Sequence, residues 1–198
     1  MIDWDAKLYD YQKETVSQAR ELIKQGHKNI LIVSPTGSGK TVIATHMTDI
    51  ARAKQSRVAF VVDRLSLIQQ TSTTFFDADI DHGVIQADHP MYHPWKKVQI
   101  CSQQTLSRRK WPDADIIFVD EAHTVTETVK KRITPRDTVT IGLTATPFTK
   151  GLGKHYDAIV NVTTTNKLIA SGNLSNYRIF AASEPDMTGV KVVAGEWD

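Results

Sequence analysis

The chain has 198 residues, of which 40% are hydrophobic and 23% charged, and a formal net charge of +2. Those values describe an ordinary globular domain with a proper core, not a disordered or collagen-like chain, and the charge alone does not mark a nucleic-acid binder. The one cysteine, Cys101, excludes an internal disulfide, and no apolar run approaches the ~20 residues that span a bilayer. The N-terminus, Met1-Ile2-Asp3-Trp4-Asp5, is polar and acidic and unlike a leader, so a cytoplasmic protein without a membrane partner is expected.

In chain order, Asp10 is expected as the N-cap of a helix whose apolar face is Val16, Ala19, Leu22 and Ile23, with Gly26 as its stop. Ile30 to Val33 is a buried β-branched strand. Ser34 to Gly39 is a turn-rich loop, and Lys40-Thr41 begins a helix with Ile43, Met47, Ile50 and Ala51 on its buried stripe. Arg57 to Val62 is a second strand. Asp63-Arg64 caps a helix carrying Leu65, Ile68, Phe75 and Phe76. Further strands are expected at Gly83 to Ile85, Lys97 to Ser102, Ile116 to Val119 and Thr138 to Leu143. Residues Gln86 to Trp95 read as loop, and a polar helix ends at Ile133 before Pro135. After Pro147 a short helix (Asn166 to Ser171) and a strand (Tyr177 to Ala182) are expected. From Ser183 the chain lacks periodicity and reads as a linker or arm. Strands alternating with amphipathic helices imply an α/β fold with a mostly parallel sheet covered on both faces, and ligands at the carboxyl ends of its strands.

Four stretches carry chemistry. Ser34-Pro35-Thr36-Gly37-Ser38-Gly39-Lys40-Thr41, between strand and helix, has the make-up of a phosphate-binding loop, although Ser34 replaces the first glycine of the general pattern. Glycines let backbone N–H groups converge on phosphate oxygens, and the helix dipole assists. Lys40 should reach the β- and γ-phosphates, and Thr41 should help hold Mg²⁺. About eighty residues downstream, Asp120-Glu121-Ala122-His123 follows an apolar strand. There Asp120 suits a metal partner and Glu121 a base for the attacking water. Thr144-Ala145-Thr146-Pro147 sits at the next strand end, where small hydroxyl residues can hydrogen-bond the acidic loop. In Leu8-Tyr9-Asp10-Tyr11-Gln12, the Gln12 amide offers a donor and an acceptor that match adenine, with an aromatic beside it to stack.

Other features have plainer readings. His82, His89, His93, Cys101 and His123 lack the spacing of a zinc site. Tyr92 and Trp95 could stack on bases but equally fold their loop onto the core. The runs Arg108-Arg109-Lys110 and Lys130-Lys131-Arg132 read first as solvated surface.

In their order, SPTGSGKT, DEAH, LTATP and LYDYQ resemble the motifs of a superfamily 2 DEAD/DEAH-box helicase. The likeness is to the branch of phage and bacterial DNA helicases and type III restriction subunits. Val61 to Thr71 and Ile100 to Leu106 resemble its nucleic-acid-contacting motifs, so the likeness runs over roughly residues 6–182. Tyr9 stands where this branch often has arginine. The resemblance implies a RecA-like P-loop NTPase sandwich, using ATP and Mg²⁺ to move along nucleic acid, here taken as DNA. It assigns adenine to Gln12, phosphate to Pro35 to Thr41, catalysis to Lys40, Asp120 and Glu121, and magnesium to Thr41 and Asp120. It assigns coupling to His123, Thr144, Ala145 and Thr146, and backbone contacts to Arg64, Gln103, Gln104 and Thr105. Nothing after Pro147 resembles a second P-loop domain, so residues 1–182 match the first RecA-like half and 183–198 a linker towards an absent second one. Such a half should bind nucleotide but hydrolyse and unwind poorly. Alternatively, it is a nucleotide-dependent binding module acting in trans with a second-domain or nuclease subunit.

Overall fold

The computed structural model describes residues 3–161 and 163–178 and the two pairs 192–193 and 196–197. Seven strands form one all-parallel sheet: β1 (Asn29–Val33), β2 (Val58–Val62), β3 (Gly83–Ile85), β4 (Val98–Ser102), β5 (Ile116–Val119), β6 (Val139–Thr144) and β7 (Ala158–Val160). Their order across the sheet is β3-β4-β2-β5-β6-β1-β7. Helices α1 (Trp4–Lys7), α2 (Asp10–Lys24), α3 (Lys40–Ala53), α4 (Leu65–Asp77), α5 (Gln103–Leu106), α6 (Glu127–Ile133) and α7 (Thr165–Ala170) complete the fold. Val192–Val193 and Glu196–Trp197 (β8 and β9) pair antiparallel.

The central strands are apolar on both faces because helices cover both. Ile30, Ile32, Val58, Phe60 and Val62 pack with the stripes of α2, α3 and α4, including Val16, Ile43, Met47 and Phe75. The alternate residues Leu31, Ala59 and Val61 pack with Val125, Val129 and Ile133 on the other side. This period-two division makes a three-layer RecA-like α/β sandwich. Phe60 stacks on Phe118 at 5.8 Å and meets Phe75 edge-on at 5.6 Å, near the middle of the first layer.

Some local expectations shift. The first long helix begins at Asp10 with Tyr9 as its N-cap, because the Gln12 side-chain oxygen accepts the Tyr9 N–H at 3.0 Å. The polar segment after β5 divides into a 3-10 turn at Ala122–Thr124 and α6. Strand β7 was not expected. It is short and at the sheet edge, and Ile159 is 63% exposed, so neither length nor alternation announces it. The Asp157 carboxylate fixes its start by accepting the N–H groups of Lys28 and Asn29. Tyr177 and Arg178 are not in a strand. The remainder of that expected strand, 179–182, and the domain boundary at 182/183 lie outside the described residues.

Candidate functional site

Every chemistry-bearing loop follows a parallel strand, so all of them open on the carboxyl edge of the sheet. Strands β1, β6 and β5 are neighbours, which sets the Ser34–Gly39 loop, the Thr144 turn and the acidic loop side by side. Strands β2 and β4 bring Arg64 and Gln103 to Thr105 to the adjoining stretch of the same edge.

The loop after β1 is built from short internal bonds. The Ser34 N–H donates to the Thr144 carbonyl at 2.9 Å, and the Ser38 N–H to the Pro35 carbonyl at 3.2 Å. The Ser34 and Ser38 hydroxyls lie 2.6 Å apart, and Ser38 Oγ donates to the Pro35 carbonyl. Lys40 Nζ stands 3.5 Å from the Ser34 carbonyl, across the mouth of the loop. Gly37 and Gly39 both have φ near 80°, left-handed backbone that costs an L-residue about 1–2 kcal/mol. Sterics reinforce this. A Cβ on Gly39 would stand 2.5 Å from Gln12 Nε2, and one on Gly37 2.8 Å from Leu174 Cδ2.

Helix α2 braces the loop from outside. Gln12 is 3% exposed, and its Nε2 donates to the Ser38 carbonyl at 3.0 Å. The Tyr11 hydroxyl donates to the same carbonyl at 2.8 Å. The Gln12 oxygen also takes the Tyr9 N–H, and the Gln12 side chain hydrogen-bonds the Tyr11 hydroxyl as well. Tyr9, 54% exposed, lies parallel to Tyr11 with ring centroids 5.8 Å apart. The bond from Tyr11 to position 38 was not expected from the sequence, because it is long-range.

In the acidic loop, Asp120 is 9% exposed and accepts the Glu121 N–H at 3.0 Å. Burial pushes its carboxyl above the ordinary range and the Glu121 charge adds to this, while the Glu121 N–H and the Lys40 ammonium oppose them. Glu121 is in left-handed backbone (φ 46°), a strained conformation for a non-glycine residue. Its carboxylate is 3.4 Å from His123 Nδ1, and that nitrogen shares a 2.9 Å hydrogen bond with Thr144 Oγ1. The Thr144 hydroxyl also accepts the Thr146 N–H at 3.0 Å, so the turn containing Ala145 is closed by the residue that meets His123.

The expected backbone-contact residues divide. Arg64 is an exposed N-cap of α4. Gln104 is exposed, and its Nε2 donates to the Asp63 carbonyl at 2.7 Å. Thr105 Oγ1 accepts the Ala87 N–H at 3.3 Å. Gln103 is fully buried and accepts the Thr126 N–H at 2.9 Å, which ties β4 to the segment after the acidic loop.

Leu174 is a residue that sequence reasoning missed. Helix α7 is capped by Thr164, whose Oγ1 accepts the Lys167 N–H, and is anchored by buried Leu168. Gly172, at φ 74°, turns the chain back, and the N–H groups of Asn173 and Leu174 donate to the Leu168 carbonyl at 2.9 and 3.0 Å. That turn lays Leu174 on Gly37.

Elsewhere, a mostly apolar cavity of about 220 Å³ lies between α2 and α3 at the opposite edge of the sheet, with Phe118 and Ile141 in its lining. It does not adjoin the Ser34–Gly39 loop. Among the described residues no three His, Cys, Asp or Glu side chains converge to hold a metal, and no helix is long and apolar enough to cross a membrane. Cys101 is buried and its thiol is pushed far up by desolvation, so it is inert.

The family described as type III restriction enzyme, res subunit, matches residues 5–149, more than half of the chain. The chain belongs to this family. Among curated relatives, a 51.5 kDa protein of Lactococcus phage (isolate 7-9) is 28% identical over 176 residues, covering 84% of this chain and 36% of its own length. This chain therefore spans about a third of that relative. Among solved structures, a nuclease-deletion mutant of the Type ISP restriction-modification enzyme LlaGI, in complex with a DNA substrate mimic, superposes with TM-score 0.66 at 16% identity. The match covers 84% of this chain and 20% of that one. The Pyrococcus furiosus Hef helicase domain superposes with TM-score 0.61 at 22% identity, over 78% of this chain and 37% of that one. At these identities the structures establish the shared fold. The chain thus carries, within this restriction-enzyme family, the fold shared by these enzymes and helicase domains.

Proposed function

We propose that this domain is the nucleotide-binding half of a motor that couples Mg-ATP hydrolysis to movement along DNA. The observation that carries the reading is the His123–Thr144 hydrogen bond. It joins the acidic loop to the turn whose strand end also holds Ser34. A nucleotide bound there would be sensed by both loops.

The residues fit the group. The loop is a cradle in which a Cβ at position 37 or 39 would need left-handed backbone and a shift of Leu174 or Gln12, and Lys40 lies close enough to Asp120 to lower its pKa. Backbone N–H groups from Gly37 to Thr41 and the Lys40 ammonium would neutralise phosphate oxygens. Pro35 and Thr36 begin the loop. The Thr41 hydroxyl and the Asp120 carboxylate are the oxygen ligands offered to magnesium, which when bound neutralises charge on the terminal phosphates. Glu121 is the base that orients the attacking water and takes its proton. The Gln12 amide would read adenine, with Tyr9 as its stacking face. Arg64, Gln104 and Thr105 would hold the nucleic-acid backbone without reading bases, and Gln103 would hold their turn from beneath. A second RecA-like domain would complete the site with a cation. Such a group is worth roughly 10³–10⁵ in rate in related phosphoryl-transfer enzymes, so slow turnover is expected without it.

Calorimetric ATP binding and ATP turnover, each with and without single-stranded and branched DNA, test the reading. The chain binds ATP, Lys40→Ala abolishes binding, and Glu121→Gln binds without turnover. ATP binding by Lys40→Ala at wild-type affinity would overturn it.

A further inference from the structure

We propose that the recess between the 86–95 loop and the 107–113 segment receives an unstacked base of single-stranded nucleic acid, with the flanking phosphates on Arg109 and Lys110. The inference rests on the nucleic-acid motor reading and extends its track to a site outside the helicase-like motifs.

Two sequence features that are unremarkable apart are joined in the structure. The aromatic loop and the basic run meet where the Arg109 guanidinium lies over the Tyr92 ring, 5.4 Å from its centroid. Between them is a recess of about 480 Å³ whose lining includes Tyr92, Pro94, Arg109, Lys110, Trp111 and Asp113. That is the size range of small-ligand sites, large enough for a nucleobase with its sugar and too small for a duplex. Tyr92 is 44% exposed, so part of its side chain is accessible to a ligand beside the Arg109 guanidinium. Trp111 is half-buried and held from the core side, with the Arg132 guanidinium 5.9 Å from its ring centroid.

Aromatic faces beside guanidinium and ammonium groups are the make-up of single-strand sites, in which bases stack and phosphates pair. The carboxylates nearby do not reverse the sign. Asp113 is engaged by Arg57 at 3.3 Å, and Asp88, fully exposed, lies 3.8 Å from Arg109. Arg108, Arg109 and Lys110 are all exposed on the same segment. An apolar ligand would leave these cations without a role, whereas a polyanion with flat bases uses both halves of the recess.

Position supports the same ligand. The Ala87 N–H donates to Thr105 Oγ1, so the aromatic loop hangs from the turn already assigned to the nucleic-acid backbone. The Gln104 amide binds the Asp63 carbonyl next to Arg64. A connected surface thus runs from the end of β2, across the end of β4, and on to Tyr92.

The test is fluorescence anisotropy with the full chain, comparing a labelled oligothymidylate of about 20 nucleotides with an abasic strand of equal length. Wild type is expected to prefer the base-bearing strand about tenfold. Tyr92→Ala should remove most of that preference and leave abasic binding unchanged, because Tyr92 is exposed and its loss does not open the core. Tyr92→Phe should retain the preference, and Arg109→Ala should weaken both strands alike. Melting curves establish that each variant is folded. The proposal is overturned if wild type binds both strands equally, or if Tyr92→Ala keeps the preference. Failure of wild type to bind either strand would remove the motor reading itself, and this site with it.

Discussion

Leu174 lies on Gly37, so that a Cβ at position 37 would stand 2.8 Å from Leu174 Cδ2. The turn after α7 therefore leans on the loop proposed to hold phosphate. Gly37→Ala meets two obstacles: backbone at φ 80° and the leucine methyl. It is expected to weaken nucleotide binding at least tenfold, given ~1–2 kcal/mol for the backbone alone. Adding Leu174→Ala removes the steric obstacle but not the backbone one, so the double variant should recover part of the affinity. Calorimetry on the three forms decides it. No recovery would mean that Leu174 yields freely.

His123 and Thr144 share a 2.9 Å hydrogen bond, and Thr144 also closes its own turn onto Thr146. If the pair relays nucleotide state, His123→Ala and Thr144→Ala should each reduce DNA stimulation of ATP turnover more than ATP affinity. The double variant should be little worse than either single one, with an interaction energy of about 0.5–3 kcal/mol in a double-mutant cycle. Fully additive losses would assign the two residues separate roles.

How much of this was legible depended on how local each signal is. Strands β2 and β5 are continuous apolar runs, and β1 is one from Ile30 onward, because helices cover both faces, and such runs are readable without knowing the partners. The placement of the Ser34–Gly39 loop, the acidic loop and the Thr144 turn on one edge followed from their positions after parallel strands. What was not legible is long-range. Nothing around Gln12 or Tyr11 announces that both bind the Ser38 carbonyl, and nothing around Leu174 beyond the Gly172 stop places it on Gly37. Strand β7 escaped because Ile159 faces solvent and Asp157 acts through the backbone of residues 28 and 29. Helix α5 is a single turn held by Ser102, whose Oγ accepts the Thr105 N–H, and one turn leaves no periodicity to detect.

Asp120 is held in its neutral form to higher pH than a free aspartate, chiefly by burial and then by Glu121. A raised folded-state pKa means that the native chain binds more protons than the unfolded chain between 3.8 and the raised value. The contribution is favourable below that window and is lost as pH rises through it, so at neutral pH the ionised carboxylate is a cost of the site. Asp120→Asn should raise Tm by a few degrees at neutral pH, abolish ATP turnover, and lose its stability advantage below the ordinary aspartate pKa. Thermal melts across pH check this, and an unchanged or lowered Tm at neutral pH would contradict it.

His82 sets an opposite pH dependence. It is 1% exposed, and its Nδ1 lies 2.8 Å from the Ile80 carbonyl, which can only accept. Nδ1 therefore carries the proton, and in the neutral ring Nε2 accepts from the Ser72 hydroxyl at 2.9 Å. Burial lowers the His82 pKa, with Lys96 adding to this and the Ile80 carbonyl and Asp81 opposing it. The unfolded chain then binds the extra proton first, so this stability is fully present above the ordinary imidazole value of 6.5 and is lost as pH falls through the folded value. His82→Gln keeps a donor for Ile80 but cannot titrate. It should be less stable than wild type by about 1–2 kcal/mol at pH near 8. The gap should narrow steadily as pH falls towards 5, at up to ~1.4 kcal/mol per pH unit. Denaturant unfolding of both forms at matched pH gives the difference curve, in which the other titrating groups cancel. A gap that stays constant with pH would mean that His82 does not titrate across this range.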